Sequence, residues 1–277
     1  MKGRGLRWVR GHLAACLGLF LLGAMLLVAG LGPRLYPTDP WERVGRRFER
    51  PAGRFLLGTD QQGRDVLAGV VLGARTSLLV GVAAGAVILV IGVTVGAAAG
   101  YHGGRVDETL MRVAEFFQIL PAFLFAMVLV AVFSPRLWTI VAAIGVSNWA
   151  GTARLVRAEF LSLRERDFIT AARALGAGDA RIVQREILPN ALPPVIVNAS
   201  LTVGVAILFE AGLSFLGLND PNVMSWGYMI GSSRIYLRDA WWAVTFPGLA
   251  IVASVLGLSL VGDWLNEILN PRLTAPR

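Results

Sequence analysis

Apolar and polar positions along this chain do not alternate; they fall into long uncharged runs separated by short charged ones. Six runs contain no Asp, Glu, Lys or Arg: Leu13–Gly32, Thr76–Gly100, Phe116–Pro135, Leu137–Ala153, Ile187–Phe209 and Ala240–Gly262. Each matches the length of helix, about 20 residues, that crosses roughly 30 Å of hydrocarbon. None shows the ten-residue alternation of a membrane barrel strand. A segment in lipid must satisfy its own backbone hydrogen bonds, so only helices fit. The pattern predicts an all-α integral membrane protein with six transmembrane helices.

Composition agrees: 55% of the 277 residues are hydrophobic and only 16% charged, where a soluble domain would carry about 25%. Lys2, Arg4, Arg7 and Arg10 precede the first run. The run is too long for a signal peptide and lacks an evident small-x-small cleavage site near "GLGPRLYP", so it reads as an uncleaved first span. Those basic residues predict a cytoplasmic N-terminus, and six crossings return the C-terminus to the same side. Fifteen of the 26 Lys and Arg then lie on the cytoplasmic side, a modest bias because 33–75 is itself Arg-rich. The chain divides into a cytoplasmic tail (1–12), a first transmembrane helix (13–32) and an extracytoplasmic connector (33–75). A five-helix core (76–262) and a cytoplasmic tail (263–277) follow. The net charge of +8 fits loops facing anionic membrane lipid, and no nucleic-acid recognition surface is evident.

Scarcity narrows the chemistry. Lys2 is the only lysine, which excludes a GxxxxGK[ST] phosphate loop from the body of the chain. Cys16 is the only cysteine, and His12 and His102 are the only histidines. No intramolecular disulfide, Cys-based metal cluster or Ser–His–Asp triad is expected. The reading is of no catalytic residue and no metal site, and not of an enzyme.

Between the runs, "LLGTDQQGRDVLAGVVLGARTSLL" opens with Gly58-Thr59-Asp60, turn and cap chemistry. A helix is expected from about Gln61, with Val66, Leu67, Val70, Val71 and Ala74 as an apolar stripe along the membrane interface. A docking or gating element and a plain amphipathic connector fit it equally. In the second run, Gly81, Gly85, Gly92, Gly96 and Gly100 allow close helix approach in lipid. Glu210 is the one acid in a strongly apolar context, and such a carboxylate faces a bundle interior or a cavity with a partner. Together with Asn198 and Asn148 it stands either as a pathway residue or as a structural hydrogen-bonding group; Arg234 or Arg238 is its expected partner.

One stretch interrupts the apolar pattern: "FITAARALGAGDARIVQREILPN", Phe168–Asn190. Arg157–Leu175 contains no Pro or Gly, and Phe168, Ala171, Ala172 and Leu175 share a helical face. Gly176 is placed to end that helix. Asp179 is placed to cap a second, Ala180–Leu188, ending at Pro189. The product is two short helices meeting at a small-residue corner. On composition it is either a docking corner or a loop helix lying on the bilayer.

"AARALGAGDARIVQREILPN" resembles the cytoplasmic EAA loop of ABC importer permeases, with Ala171, Ala172, Gly176, Leu188 and Pro189 at the pattern's positions. "LLGTDQQGRDVL", "GARTSLLVG", "GYHGGRVDETLMR", "EAGLSFLGL", "WGYMI" and "GDWLNEILNPRL" resemble, in order, the permease subfamily of dipeptide, oligopeptide and nickel importers, specifically its second permease subunit. Thr170, Glu186 and Asn270-Pro271-Arg272 depart from that pattern. The resemblance implies the type I ABC importer permease fold in a bacterial or archaeal inner or plasma membrane, with the EAA loop at about 157–189. It implies a translocation pathway for peptides, shared with a sister permease and driven by two ATP-binding subunits. An extracytoplasmic substrate-binding protein would deliver the cargo. Ala171, Ala172, Arg173, Gly176, Ala177, Asp179, Leu188 and Pro189 would couple to the ATP-binding subunits. Gly58, Thr59, Asp60, Gly63, Arg64 and Asp65 form the extracytoplasmic segment. ATP and Mg would be bound by the partners, leaving no cofactor in this chain. Peptides, nickel and other small solutes remain open as cargo. A self-sufficient secondary transporter is the alternative; it predicts paired intramembrane charges or internal repeats, of which only Glu210 is evident.

Overall fold

The computed structural model describes residues 2–269, with side chains from Leu13 onward. The basic residues of the N-terminal tail have no described side chains, and 270–277, with Asn270-Pro271-Arg272, lie outside the described residues. The described chain is helical apart from its connecting segments. Helix α1 is Lys2–Leu35, α2 is Val66–His102, α3 is Gly104–Ile119, α4 is Ala122–Phe133, α5 is Leu137–Arg164 and α6 is Asp167–Ala174. Helix α7 runs Asp179–Phe215, α8 Trp226–Ser233 and α9 Trp242–Leu269.

Four of these helices are long and apolar enough to span a membrane, and the α3–α4 pair makes a fifth if it counts as one span. The remaining uncharged run lies in α5, where Ser147, Thr152 and Trp149 are buried against protein. Its polar residues lower the apolar signal because α5 faces neighbours more than lipid.

Three expectations change. The connector was expected to hold a separate interfacial helix from about Gln61, with the membrane core starting at 76. Instead α2 begins at Val66, capped by Asp65, and continues without a break to His102. Arg75 does not interrupt it, because its side chain is exposed and a long cation can reach out of an apolar stretch. At about 1.5 Å per residue, the helix is about 55 Å long, well beyond the hydrocarbon thickness. Second, the charged stretch 101–115 between the second and third uncharged runs is helical and not a plain connection. Gly103, at φ +64°, is a one-residue break between α2 and α3. Third, the run Phe116–Pro135 is no straight span. Proline at 121 drives Leu120 into extended backbone (φ −71°, ψ 130°), and α3 and α4 meet at 85°. The 12 residues of α4 reach only about 18 Å on their own.

Glycine sets the helix contacts. A Cβ on Gly92, Gly96 or Gly100 would lie 2.6 Å from Thr152 Cβ, 2.4 Å from the Ala153 carbonyl and 2.6 Å from Phe160 Cβ, so this face of α2 lies directly on α5. Gly81 and Gly85 meet Ile207 and Val203 of α7 in the same way. Helix α1 crosses α9 at Gly18 and Gly257, and its outer face shows Leu13, Phe20, Leu26 and Leu27. Close approach of this kind maximises dispersion contact where lipid removes the hydrophobic drive. One apolar cluster, with Val66, Trp226, Met229 and Trp242, closes the N-terminal end of α2, and another, with Tyr101, Phe160, Ile169 and Ile187, closes its C-terminal end.

Candidate functional site

At the C-terminal end of α2, α5 stops at Arg164, and Glu165 and Arg166 turn the chain into α6. That break divides the uninterrupted helix expected over Arg157–Leu175. Helix α6 ends in a Schellman motif: the Ala177 amide donates to the Ala172 carbonyl (3.0 Å), and the Gly176 amide to Arg173 (2.9 Å). Gly176 holds φ +83°, with nothing within 4 Å of where a Cβ would stand. The corner is therefore tight and open above.

The shared face of Phe168, Ala171 and Leu175 points outward, Leu175 being 88% exposed. Ile169 is the residue of α6 that turns in, fully buried with Ile182 and Ile187 among Tyr101, Val156, Phe160 and Leu163. Arg173, Arg181 and Arg185 are exposed around the corner, while Ala172, Ala177 and Leu188 are half-buried. The hairpin is thus held from beneath by branched aliphatic packing, and presents small, apolar and cationic groups on the opposite side.

Two local expectations are corrected here. Asp179 does not cap the second helix; Gly178 holds the cap position without a side-chain bond. The Asp179 Oδ1 instead accepts from Tyr101 Oη at 2.6 Å. Nor does the second helix end at Pro189. A π-helical turn, Ile182–Ile187, carries the chain into the long helix, with Pro189, Pro193 and Pro194 inside its first turns. The wider turn moves the Leu188 amide to the Val183 carbonyl. That shift in pairing beside the prolines spares the helix the usual break.

At the other end of α2, residues 36–65 form a compact loop module. Thr59 Oγ1 donates to the Arg46 carbonyl (2.6 Å) and accepts from the Glu49 amide (2.9 Å). Asp60 Oδ1 accepts from the amides of Gln62 (2.7 Å) and Arg64 (2.9 Å). Asp65 caps α2 through the Leu67 amide (2.9 Å) and accepts from the Tyr36 hydroxyl. That carboxylate, together with burial, holds the Tyr36 phenol above the usual tyrosine range. Gly58 and Gly63, both at φ +76°, pass so close to the Glu49 and Gly45 carbonyls that a Cβ would collide with them. The Arg64 guanidinium stacks over Trp41 at 4.7 Å, and its Nη1 donates to the Tyr228 hydroxyl (3.4 Å). Trp242 Nε1 donates to the Thr59 carbonyl (3.0 Å), and Ser233 Oγ to Gln61 Oε1 (3.0 Å), fixing the module on α8 and α9. The six named segment residues therefore act together as one scaffold.

Residues 92–275, which include the hairpin, match the family described as binding-protein-dependent transport system inner membrane component. The chain belongs to that family. It is 39% identical to the dipeptide transport system permease protein DppC of Alkalihalophilus pseudofirmus, over 94% of this chain and 86% of that protein. It is also 35% identical to the oligopeptide transport system permease protein OppC of Bacillus subtilis, over 95% and 87%. Among solved structures, the MetNI methionine ABC transporter in inward-facing form matches with a TM-score of 0.59 at 21% identity. That match covers 73% of this chain and 96% of that one, and it shows a shared fold. This inner membrane component is thus an all-helical, multi-pass permease of the ABC importer type, a transport component within a multi-subunit system.

Glu210, Asn198 and Asn148 all find hydrogen-bond partners within the protein. Glu210 is buried, and its Oε1 accepts from Ser214 Oγ (2.8 Å) and Ser225 Oγ (2.7 Å), while Oε2 has no partner. Arg234 and Arg238 were the expected partners; Arg234 Nη1 instead donates to the Phe215 and Gly231 carbonyls. The hydroxyls win because Ser214 lies one turn along the same helix and Ser225 caps α8 directly across from it. Asn198 Nδ2 donates to Thr152 Oγ1 (2.9 Å), joining α7 to α5, and Asn148 Nδ2 donates to the Ile144 carbonyl of its own helix (2.9 Å). Tyr101, Tyr36, Ser225 and Trp242 escaped the sequence reading. Of these, only the i, i+4 spacing of Glu210 and Ser214, which leads on to Ser225, left a local trace.

Proposed function

We propose that this chain is the second transmembrane permease subunit of an ATP-binding-cassette importer for dipeptides or oligopeptides. It would form the pathway with a sister permease and take cargo from an extracytoplasmic binding protein. In this reading the hairpin and both termini face the cytoplasm, and the module 36–65 faces outward. The supporting observation is the hairpin itself, a corner rigid beneath and open above, which suits seating in a cleft on an ATP-binding subunit. The exposed Leu175 and Phe168 would enter the cleft, and Arg173, Arg181 and Arg185 would pair with acids at its rim. ATP and Mg belong to that partner; closure of two such subunits would push the hairpins and open the pathway alternately to each side. The peptide assignment follows from the names of the relatives at 35–39% identity.

Reconstituted complexes provide the test. Uptake of a dipeptide should require the two ATP-binding subunits, and Gly176→Trp should abolish it while the chain remains inserted. The indole would occupy the open corner and cannot hold φ +83° without strain. Uptake that persists without those subunits would establish a secondary transporter instead.

A further inference from the structure

The last turn of α2 is clamped by both stems of the hairpin. From the preceding stem, Arg164 Nη1 donates to the carbonyls of Gly100 and Tyr101, each at 3.2 Å. These carbonyls lie in the last turn of α2, where no further amide of that helix reaches them. From the following stem, Asp179 Oδ1 accepts the Tyr101 hydroxyl at 2.6 Å. Asp179 is the first residue of α7, yet its carboxylate serves no amide of that helix. The tyrosine ring is buried in the apolar cluster beneath the hairpin, so its hydroxyl is offered from a fixed position at little cost in side-chain entropy. Charge assistance from the carboxylate makes this the stronger kind of hydrogen bond.

Beyond Tyr101, α2 is one unbroken helix, held along α5 by the Gly92–Gly96–Gly100 face. Its far end is capped by Asp65 of the module, which also holds Tyr36. Displacement of the hairpin corner therefore reaches α2 as a further stiff element beside α5 and α7, which continue from the hairpin itself, and it enters α2 through Arg164 on one stem and Tyr101 against the other.

We propose that Tyr101 is the positioning residue that makes α2 follow the hairpin, so that ATP-driven movement of the hairpin is read out at the module. The inference rests on the hairpin being the seat of the ATP-binding subunits. The test uses the assembled transporter with Cys16→Ser and Ser232→Cys. Ser232 is half-buried beside Arg64, Asp65 and Gly69 at the module end, and the maleimide labelling rate of a cysteine there reports opening of that contact. MgATP is the only ligand added. A coupling of the usual size predicts a change in labelling rate of about fivefold or more on adding MgATP. Tyr101→Phe keeps the ring and its packing but should lose most of that response, while the ATP-binding subunits still co-purify. Asp179→Asn, which retains an acceptor oxygen, should keep the response; Asp179→Ala should lose it, with no further loss in the double variant with Tyr101→Phe.

An unchanged response in Tyr101→Phe would overturn the proposal, as would independent, additive losses in the double variant. Loss of the ATP-binding subunits from Tyr101→Phe would also overturn it, by placing the residue in docking rather than transmission. If MgATP leaves the labelling rate unchanged with Tyr101 and Asp179 intact while uptake still depends on ATP, the transmission route is wrong and the coupling role of the hairpin stands. If uptake never needs the ATP-binding subunits, the functional reading fails with it.

Discussion

The loop module and the hairpin sit at opposite ends of α2 and are stabilised by opposite means. In the module, Thr59, Asp60 and Glu49 direct their oxygens at backbone amides and carbonyls within the same segment, and Asp65 ties it to the first turn of α2, so a loop with little regular structure becomes stiff. The hairpin makes few such bonds. Its shape comes from Ile169, Ile182 and Ile187 buried on the ends of α2 and α5, and its far side keeps Leu175 and Phe168 in the open. The ion pairs divide likewise: among the described residues, Asp107–Arg157, Arg164–Glu165 and Glu108–Arg112 all lie at the hairpin end. The arginines of the module instead meet carbonyls and aromatic faces, as Arg47 does at Gln61 and Arg64 at Trp41. A region that satisfies itself behaves as a fixture; one anchored beneath and open above suits the seat proposed for an ATP-binding subunit.

The largest effect should come from breaking the module. In Gly63→Ala the new Cβ meets the Gly45 carbonyl at 2.3 Å, in a backbone conformation of φ +76°. Left-handed strain and overpacking together should cost at least about 3 kcal/mol. Thermal unfolding in detergent should show the loss, and trypsin should cut at Arg46, Arg47 and Arg54. Cleavage at Arg173, Arg181 and Arg185 should not change, since the hairpin draws nothing from the module's hydrogen bonds. Ile182→Ala makes the reciprocal test. Removing a fully buried branched side chain should cost about 2–4 kcal/mol, concentrated in the hairpin. Trypsin should then favour the hairpin arginines by tenfold or more, about 1.4 kcal/mol for each tenfold, and spare the module. If either variant loosened both regions equally, the two would form a single cooperative unit and the contrast would fail.

A smaller effect tests how the module holds α2. Asp65→Ala removes both the helix cap and the acceptor for Tyr36, a loss of about 2 kcal/mol if the two contributions add. Asp65→Asn preserves an oxygen for the Leu67 amide and should recover about half of that in the melting temperature. Equal losses in both variants would mean that the charge, and not the cap, carries the contribution.

The two regions also differed in how far they could be read in advance. The hairpin's corner was visible because Gly176 and the small residues around it are local signals, and a left-handed helix end needs no distant partner. The uncharged runs likewise marked the spans, since lipid imposes its requirement residue by residue. What was misread depends on contacts far along the chain. The start of α2 moved to Val66 because Asp65 is its cap, whereas the charge of Arg75 looked like a boundary. The long helix passes Pro189 because of a π-turn that no periodicity announces. Asp179 looked like a cap from its neighbours, and only the approach of Tyr101, 78 residues away, gives it another partner. Glu210 was recognised as needing partners, but two serines met the need where an arginine was expected.

The smallest change in stability should accompany the sharpest change in assembly. Leu175 is 88% exposed and touches none of the cluster that anchors the hairpin, so Leu175→Ser should shift unfolding by less than about 0.5 kcal/mol. If the outward face receives an ATP-binding subunit, the same substitution removes an apolar anchor worth about 1.5 kcal/mol or more, roughly tenfold in affinity. Titration of the purified permease with that subunit measures the second quantity, and melting in detergent the first. Weakened binding without loss of stability would show that the open face exists for a partner. Unchanged binding would move the seat elsewhere on the hairpin, toward Arg181 and Arg185, and leave Leu175 as a residue facing lipid.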